Sequence, residues 1–173
     1  MHSIERTIAV INQLSEKGII ETYALGGATA VIFYTEPIAT EDLDIFVNIR
    51  ADGNPFMEFQ PIFDFLKEQG YGIKGEHFYV EGFPVQFLPT GQSLLNEAVD
   101  EANEFELPDG TIVRVMSPEH LVAVMLQTGR LKDYLRIGMF LQHKVVNLQD
   151  LDKLLVKYSL GEQWKQNINK FQL

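Results

Sequence analysis

The stretch Tyr23-Ala24-Leu25-Gly26-Gly27-Ala28-Thr29-Ala30, followed by Thr40-Glu41-Asp42-Leu43-Asp44-Ile45-Phe46-Val47, constrains this chain more than any other. It reads as a strand stopping at a glycine pair, a short helix, a loop, and a second strand with two aspartates. Residues two apart on a strand share a face, so Asp42 and Asp44 set two carboxylates side by side. Aspartate is disfavoured in strands, and like charges on one face repel unless paired or metal-bound. Gly26 and Gly27 open the next helix, where amides without a Cβ in the way can meet a phosphate closely. Asp42 comes fifteen positions after Gly27, an offset that allows a helix and a return loop bringing both to the same end of adjacent strands. Carboxylates for a divalent ion beside a glycine turn for phosphate is the chemistry this pattern suits.

Before this stretch, Ile4, Ile8, Ile11 and Leu14 repeat at helical spacing over residues 3 to 17, with Ser3 as a cap and Gly18 as a stop. Ile19 to Leu25 then reads as a strand, Ala28 to Tyr34 as a short helix and Asp42 to Ile49 as the second strand. Ala51-Asp52-Gly53-Asn54-Pro55 is a loop. Phe56 to Gln69 is an amphipathic helix that Pro61 kinks or delays. His77 to Val80 and Val85 to Leu88 form a hairpin across Glu81-Gly82-Phe83-Pro84, and Glu104 to Leu107 with Thr111 to Val115 form another across Pro108-Asp109-Gly110. Gly91 to Ala102 lies between them as a helix. From Ser117-Pro118-Glu119, a cap, a first-turn proline and an acid, the pattern is helical only. Leu121, Val124, Met125 and Thr128 mark one face of the first of these helices. Leu131 to Gln142, the Leu148–Tyr158 region and Gly161 to Phe171 supply the rest. With no linker at the junction, residues 1–173 are expected to form one domain: an α/β core to about residue 116 and a helical part from about 117.

The net charge of −10 disfavours a broad basic nucleic-acid surface, while leaving room for phosphate at one focused spot. An apolar fraction of 46% suits a globular core, and the absence of cysteine excludes a disulfide framework and a thiolate zinc site. No apolar run is long enough to span a membrane, and Met1-His2-Ser3-Ile4-Glu5-Arg6 lacks a signal-peptide pattern, so a cytoplasmic location and no membrane partner are expected. His2, His77, His120 and His143 are not spaced as a zinc pair on a helix and read as surface or partly buried residues. Phe56, Phe59, Phe63, Phe65 and Tyr71 read as core.

The glycine turn and Thr40-Glu41-Asp42-Leu43-Asp44 resemble the DNA polymerase β-like nucleotidyltransferase superfamily. More narrowly, the chain looks like the small bacterial nucleotidyltransferases related to abortive-infection and toxin–antitoxin systems. The family pattern is a Gly-Gly or Gly-Ser turn, a helix, and a strand with Thr-x-Asp-x-Asp. Arg130-Leu131-Lys132-Asp133 resembles its downstream basic-then-acidic motif, and the resemblance spans residues 20 to 140. It implies an α+β fold: a mixed β-sheet nucleotidyltransferase core with helices packed on it, followed by a C-terminal helical part. It implies transfer of a nucleotidyl group from an NTP to an acceptor hydroxyl on RNA, a protein or a small molecule, with Mg2+ (or Mn2+) as cofactor. Asp42 and Asp44 would be the catalytic metal ligands. Gly26, Gly27, Thr40, Arg130 and Lys132 would contact the nucleotide. Asp133 reads as a cap or surface acid.

Two residues depart from the pattern. Gln86, in Pro84-Val85-Gln86-Phe87-Leu88-Pro89, aligns with the family's third catalytic acid. A glutamine ligates through its carbonyl oxygen but carries no charge and cannot act as a base. Glu76 or Glu81 is the alternative source of a third carboxylate. Ile38 stands where relatives often have a basic residue. The other reading is therefore a catalytically degenerate nucleotide-binding or partner-binding (toxin–antitoxin-like) module, with the helical part as a surface for a homodimer or protein partner.

Overall fold

The computed structural model describes residues 4–36, 42–49 and 59–171. His2, Ser3, Ile38, Thr40, the loop at 51–55 and Phe56 lie outside the described residues. α1 (Ile4–Glu16) buries Ile8, Ile11 and Leu14 completely. Ile19 and Ile20 do not extend as a strand; their amides donate to the Leu14 carbonyl and close α1. β1 (Thr22–Leu25) is correspondingly short and leads through Gly26 into α2 (Gly27–Ile32). β2 (Leu43–Asn48) follows, then α3 (Gln60–Glu68), with Pro61 in its first turn, where no amide hydrogen is needed. β3 (Gly72–Lys74), exposed throughout and not foreseen, precedes β4 (His77–Val80) and β5 (Phe83–Pro89). α4 (Ser93–Asp100), β6 (Asn103–Glu106) and β7 (Ile112–Val115) complete the α/β part. After that come helices alone: α5 (Pro118–Thr128), α6 (Leu131–Gln142), α7 (Leu148–Lys157), α8 (Gly161–Asn167) and a 3-10 turn at Ile168–Lys170.

The strands form one seven-stranded sheet in the order β3-β4-β5-β2-β1-β7-β6. β1 and β2 pair antiparallel, while β2 with β5 and β1 with β7 are parallel. Register partners share a face, which sorts the side chains into two sets. Tyr23, Leu25, Ile45, Val47 and Val85 point to the face crossed by α1, whose Thr7 donates to the Val80 carbonyl (3.1 Å) and whose Asn12 donates to Ile112 (2.9 Å). On that face the Tyr23 hydroxyl donates to Asn12 Oδ1 (2.7 Å), and burial pushes the phenol up to about 12. Ala24, Asp44, Phe46, Asn48, Gln86 and Leu88 point to the opposite face, which α4 covers in part.

The alternation in Leu43-Asp44-Ile45-Phe46-Val47-Asn48 decides this arrangement: the first, third and fifth residues are buried in the core. The second set reaches the helices. Asn48 Nδ2 donates to Asp100 Oδ1 on α4 (2.7 Å). Arg114 of β7 donates to the carbonyls of Tyr23, Val99 and Asp100 (3.1, 2.9 and 3.2 Å), tying β1 to the end of α4. The Ser117 cap forms as the sequence indicates, its hydroxyl accepting the His120 amide (3.2 Å). α5 packs on α4, α6 and α7, so one apolar cluster runs from Ile8 to Phe171. Among the described residues no helix is long and apolar enough to cross a membrane.

Arg114→Met keeps the aliphatic stem but strips the donors from three backbone carbonyls. Loss of hydrogen bonds from a charged donor at a half-buried position should cost about 1–3 kcal/mol, read as a lower midpoint in urea unfolding.

Candidate functional site

Antiparallel pairing puts the end of β1 beside the start of β2, and the Gly26 amide donates to the Asp44 carbonyl (3.0 Å). Gly26 is extended, and Gly27 follows with φ +56, in the left-handed region where a side chain is strained. Space makes the same demand. A Cβ on Gly26 would run into the Phe46 ring, and one on Gly27 would collide with the Asp44 carboxylate. The glycine pair thus lets a carboxylate from the next strand rest directly against the backbone. Thr29 of α2 donates to the Asp42 carbonyl (2.8 Å), fastening the entry of β2 to the same turn.

Asp42 lies just before the first residue of β2, so the two aspartates are not both strand residues; Asp44 alone sits inside the ladder. Asp42 Oδ2 is 3.1 Å from His77 Nε2, which joins the entry of β2 to the start of β4 past the intervening β5. Gln86 stands directly opposite Asp44 in the β2–β5 register. Its amide donates to Glu76 Oε2 (3.1 Å), which brings a third carboxylate to the same edge. Glu81 is elsewhere: at the β4–β5 turn it accepts from the Tyr71 hydroxyl (2.7 Å) and faces Arg6 (3.9 Å).

Asp44 faces a cleft of about 610 Å³ between the sheet, α4, α5 and the start of α6. Its polar wall holds Gly27, Asp44, Gln86, Arg130, Asp133 and Arg136, and Phe46, Leu88, Leu95 and Met116 line the apolar side. Leu121, Val124, Met125 and Thr128, which share one helical face, all turn into this cleft. Gly129 ends α5 in the left-handed conformation, and Arg130 starts α6 as its N-cap. The Arg130 guanidinium donates twice to Asp133 (2.7 and 3.1 Å), and Arg136 approaches the same carboxylate at 3.6 Å. Asp133 is only 1% exposed, so it is not a surface acid; it accepts the Arg130 amide and anchors two guanidinium groups at the cleft. Lys132 is exposed and lies outside the cleft wall, although its charge is felt at Asp44.

Glu76, the alternative third carboxylate of the sequence reading, and Asp133, read there as a cap or surface acid, join the site together with Arg136 and His77, which the sequence did not single out for it. For Arg136 a trace was present, since Arg130, Asp133 and Arg136 recur every three residues along one helix face. For Glu76 and His77 the link depends on strand register.

Burial pushes the Asp44 carboxyl up, and the neighbouring charge of Asp42 pushes it further; Arg136, Arg130 and Lys132 pull the other way. The net direction is a rise, with burial as its first cause.

No protein-family model matches this chain, and no curated protein matches it significantly in sequence. Solved structures match in shape. An antigenic nucleotidyltransferase-like protein from Paracoccidioides brasiliensis superposes with a TM-score of 0.55 at 15% identity, covering 98% of this chain and 94% of its own. The solution structure of the antibiotic-resistance factor ANT(2'')-Ia superposes with a TM-score of 0.52 at 12% identity, covering 95% and 96%. The chain thus has the α+β fold, with a mixed sheet and C-terminal helices, seen in nucleotidyltransferase-like proteins.

Gly27→Ala should cost at least about 2 kcal/mol, from the left-handed backbone together with the displaced Asp44 carboxylate, measured by chemical denaturation. Asp44→Asn should act in the opposite sense. A carboxyl whose folded pKa is raised contributes stability only below its unfolded pKa and loses it as pH rises through the folded value. At neutral pH, without divalent metal, Asp44→Asn should therefore melt above the parent chain. The gap should close as the pH is lowered through the carboxylate range, which thermal melts across a pH series would read.

Proposed function

We propose that this chain is a nucleotidyltransferase that moves a nucleotidyl group from an NTP to an acceptor hydroxyl. The observation that carries the reading is the Asp44 carboxylate seated on the Gly27 backbone, inside a cleft that Arg130 and Arg136 also line. Likeness to folds of nucleotidyltransferase-like proteins supports it.

The donors suit a hard divalent ion such as Mg2+ (or Mn2+). Asp42 and Asp44 offer carboxylate oxygens, and Gln86 stands beside Asp44 in register. Such an ion, when bound, neutralises phosphate charge and aligns the attacking and leaving oxygens. The chain's own residues do the rest. Arg130 and Arg136 meet the triphosphate, with Lys132 adding long-range positive potential. Gly26 and Gly27 keep the backbone close to it, with Thr40 as a further nucleotide contact. The apolar side of the cleft receives the nucleoside. The acceptor oxygen attacks the α-phosphorus, the bond to the bridging oxygen breaks, and pyrophosphate leaves. Gln86 cannot take the acceptor's proton; Glu76, which it holds by hydrogen bond, is the carboxylate assigned that role.

The second reading is a nucleotide-binding or partner-binding (toxin–antitoxin-like) module that does not turn over. It is favoured by Gln86 opposite Asp44, and by an apolar groove of about 530 Å³ between α6, α7 and α8 with Leu148 exposed at its rim. A homodimer or a protein partner would use that helical end.

Incubation with labelled NTPs and Mg2+ against RNA, protein and small-molecule hydroxyls tests both readings. Transfer that falls at least about a hundredfold in Asp42→Asn, Asp44→Asn and Glu76→Gln supports the enzyme. Nucleotide binding without transfer, with transfer appearing in Gln86→Asp, supports the silent module. Neither binding nor transfer, with Asp42→Asn indistinguishable from the parent, sinks the nucleotide site altogether.

A further inference from the structure

α4 and α5 each have a second face. Gln92 and Leu95 of the α4 region, with Leu121 and Val124 of α5, turn toward the cleft described above. Glu97 and Glu101, with His120, turn away from it into a separate hollow of about 380 Å³ that shares no lining residue with that cleft. Glu97 and Glu101 are four apart and so lie on one side of the helix end. His120 follows Pro118 in the first turn of α5. One ligand atom from each of the three lies within 4.8 Å of the others; among the described residues this is the trio of metal-binding types so placed.

A second observation points to a ligand. His120 is 4% exposed, and its buried Nε2 makes no hydrogen bond. The Glu97 Oε1 oxygen is 3.5 Å away, within ion-pair range but outside hydrogen-bonding geometry. That separation is close to the edge of a zinc coordination tetrahedron: metal–ligand bonds of about 2.0–2.1 Å place neighbouring ligands about 3.3 Å apart. The other ring nitrogen, Nδ1, is 2.8 Å from the Ser117 hydroxyl. If Nδ1 carries the proton and donates to Ser117, Nε2 is a bare lone pair facing a carboxylate, the tautomer that metal-bound histidines adopt through an outer partner. Glu97 is prepared for the role as well. The Lys157 ammonium and the Tyr158 hydroxyl both bind its Oε2, leaving Oε1 toward His120.

We propose that Glu97, Glu101 and His120 form a zinc site, distinct from the Asp42–Asp44 cleft, that clamps α4 to α5. One imidazole nitrogen with two carboxylate oxygens selects zinc over magnesium, which takes oxygen donors and holds its waters. Water fills the fourth position, since the hollow is open to solvent on the Glu101 side, where that residue is exposed. The clamp is structural for the first site, because the two helices it joins line the nucleotide cleft with their other faces.

The full chain, stripped with a chelator and returned to Zn2+ alone, should bind one ion per chain in competition with a zinc indicator. Millimolar Mg2+ should not displace it. The Asp42→Asn/Asp44→Asn double variant should keep that ion. Glu101→Gln and His120→Gln should each weaken it at least tenfold. Glu101 is exposed, so its variant remains a fair test even if the buried His120 change disturbs folding. Absence of stoichiometric zinc, unchanged affinity in Glu101→Gln, or loss of the ion in the Asp42/Asp44 variant would each overturn the proposal and leave an ion pair between Glu97 and its neighbours.

Discussion

The contact between the Asp44 carboxylate and the Gly27 backbone is the constraint on which the rest of the site depends. It exists because β1 and β2 run antiparallel and share the Gly26–Asp44 hydrogen bond, which fixes where the turn falls relative to the acid. A carboxylate half-removed from water needs positive surroundings. The chain supplies them from Arg130 and Arg136, which line the same cleft, while Asp42 adds a second negative charge close by. The Asp44 carboxyl is therefore held above its ordinary range, by burial first and by Asp42 second, despite the arginines.

Much of the fold was legible in the sequence because it is written in local periodicities. The isoleucines of α1, the alternation of β2, the Ser117-Pro118-Glu119 start of α5 and the Pro108-Asp109-Gly110 turn each act over a few residues and form as expected. The Leu121, Val124, Met125 and Thr128 face was also readable, and it turned out to line the cleft. β3 was not readable: three exposed residues, one of them glycine, have no alternation, and the strand exists only because β4 offers it a partner. β1 was over-extended since Ile19 and Ile20 look strand-like, yet their amides are claimed by the end of α1.

The site divides in the same way. The glycine turn and the two aspartates are close in sequence and announce themselves. Glu76 and His77 reach Gln86 and Asp42 through strand pairing across the β4–β5 hairpin, which no short window encodes. Asp133 looks like a surface acid in sequence; it is buried because two arginines on its own helix face converge on it. The Glu97–Glu101–His120 cluster is likewise invisible at the level of spacing, since the histidine comes from another helix and its burial follows from α5 packing among three neighbours.

The two rims of the sheet carry a consequence for how copies of this chain meet. One rim is β3, only three residues long and bearing Lys74; the other is β6, whose Glu104 and Glu106 stand exposed. Short length and outward charge discourage a neighbour from extending the sheet by pairing its own backbone there. Arg114 shields the acidic rim only from inside, through Glu104. Growth of the sheet into fibres or swapped ribbons is thus disfavoured at both ends, because neither rim offers a long, uncharged row of backbone groups for a second strand to pair with.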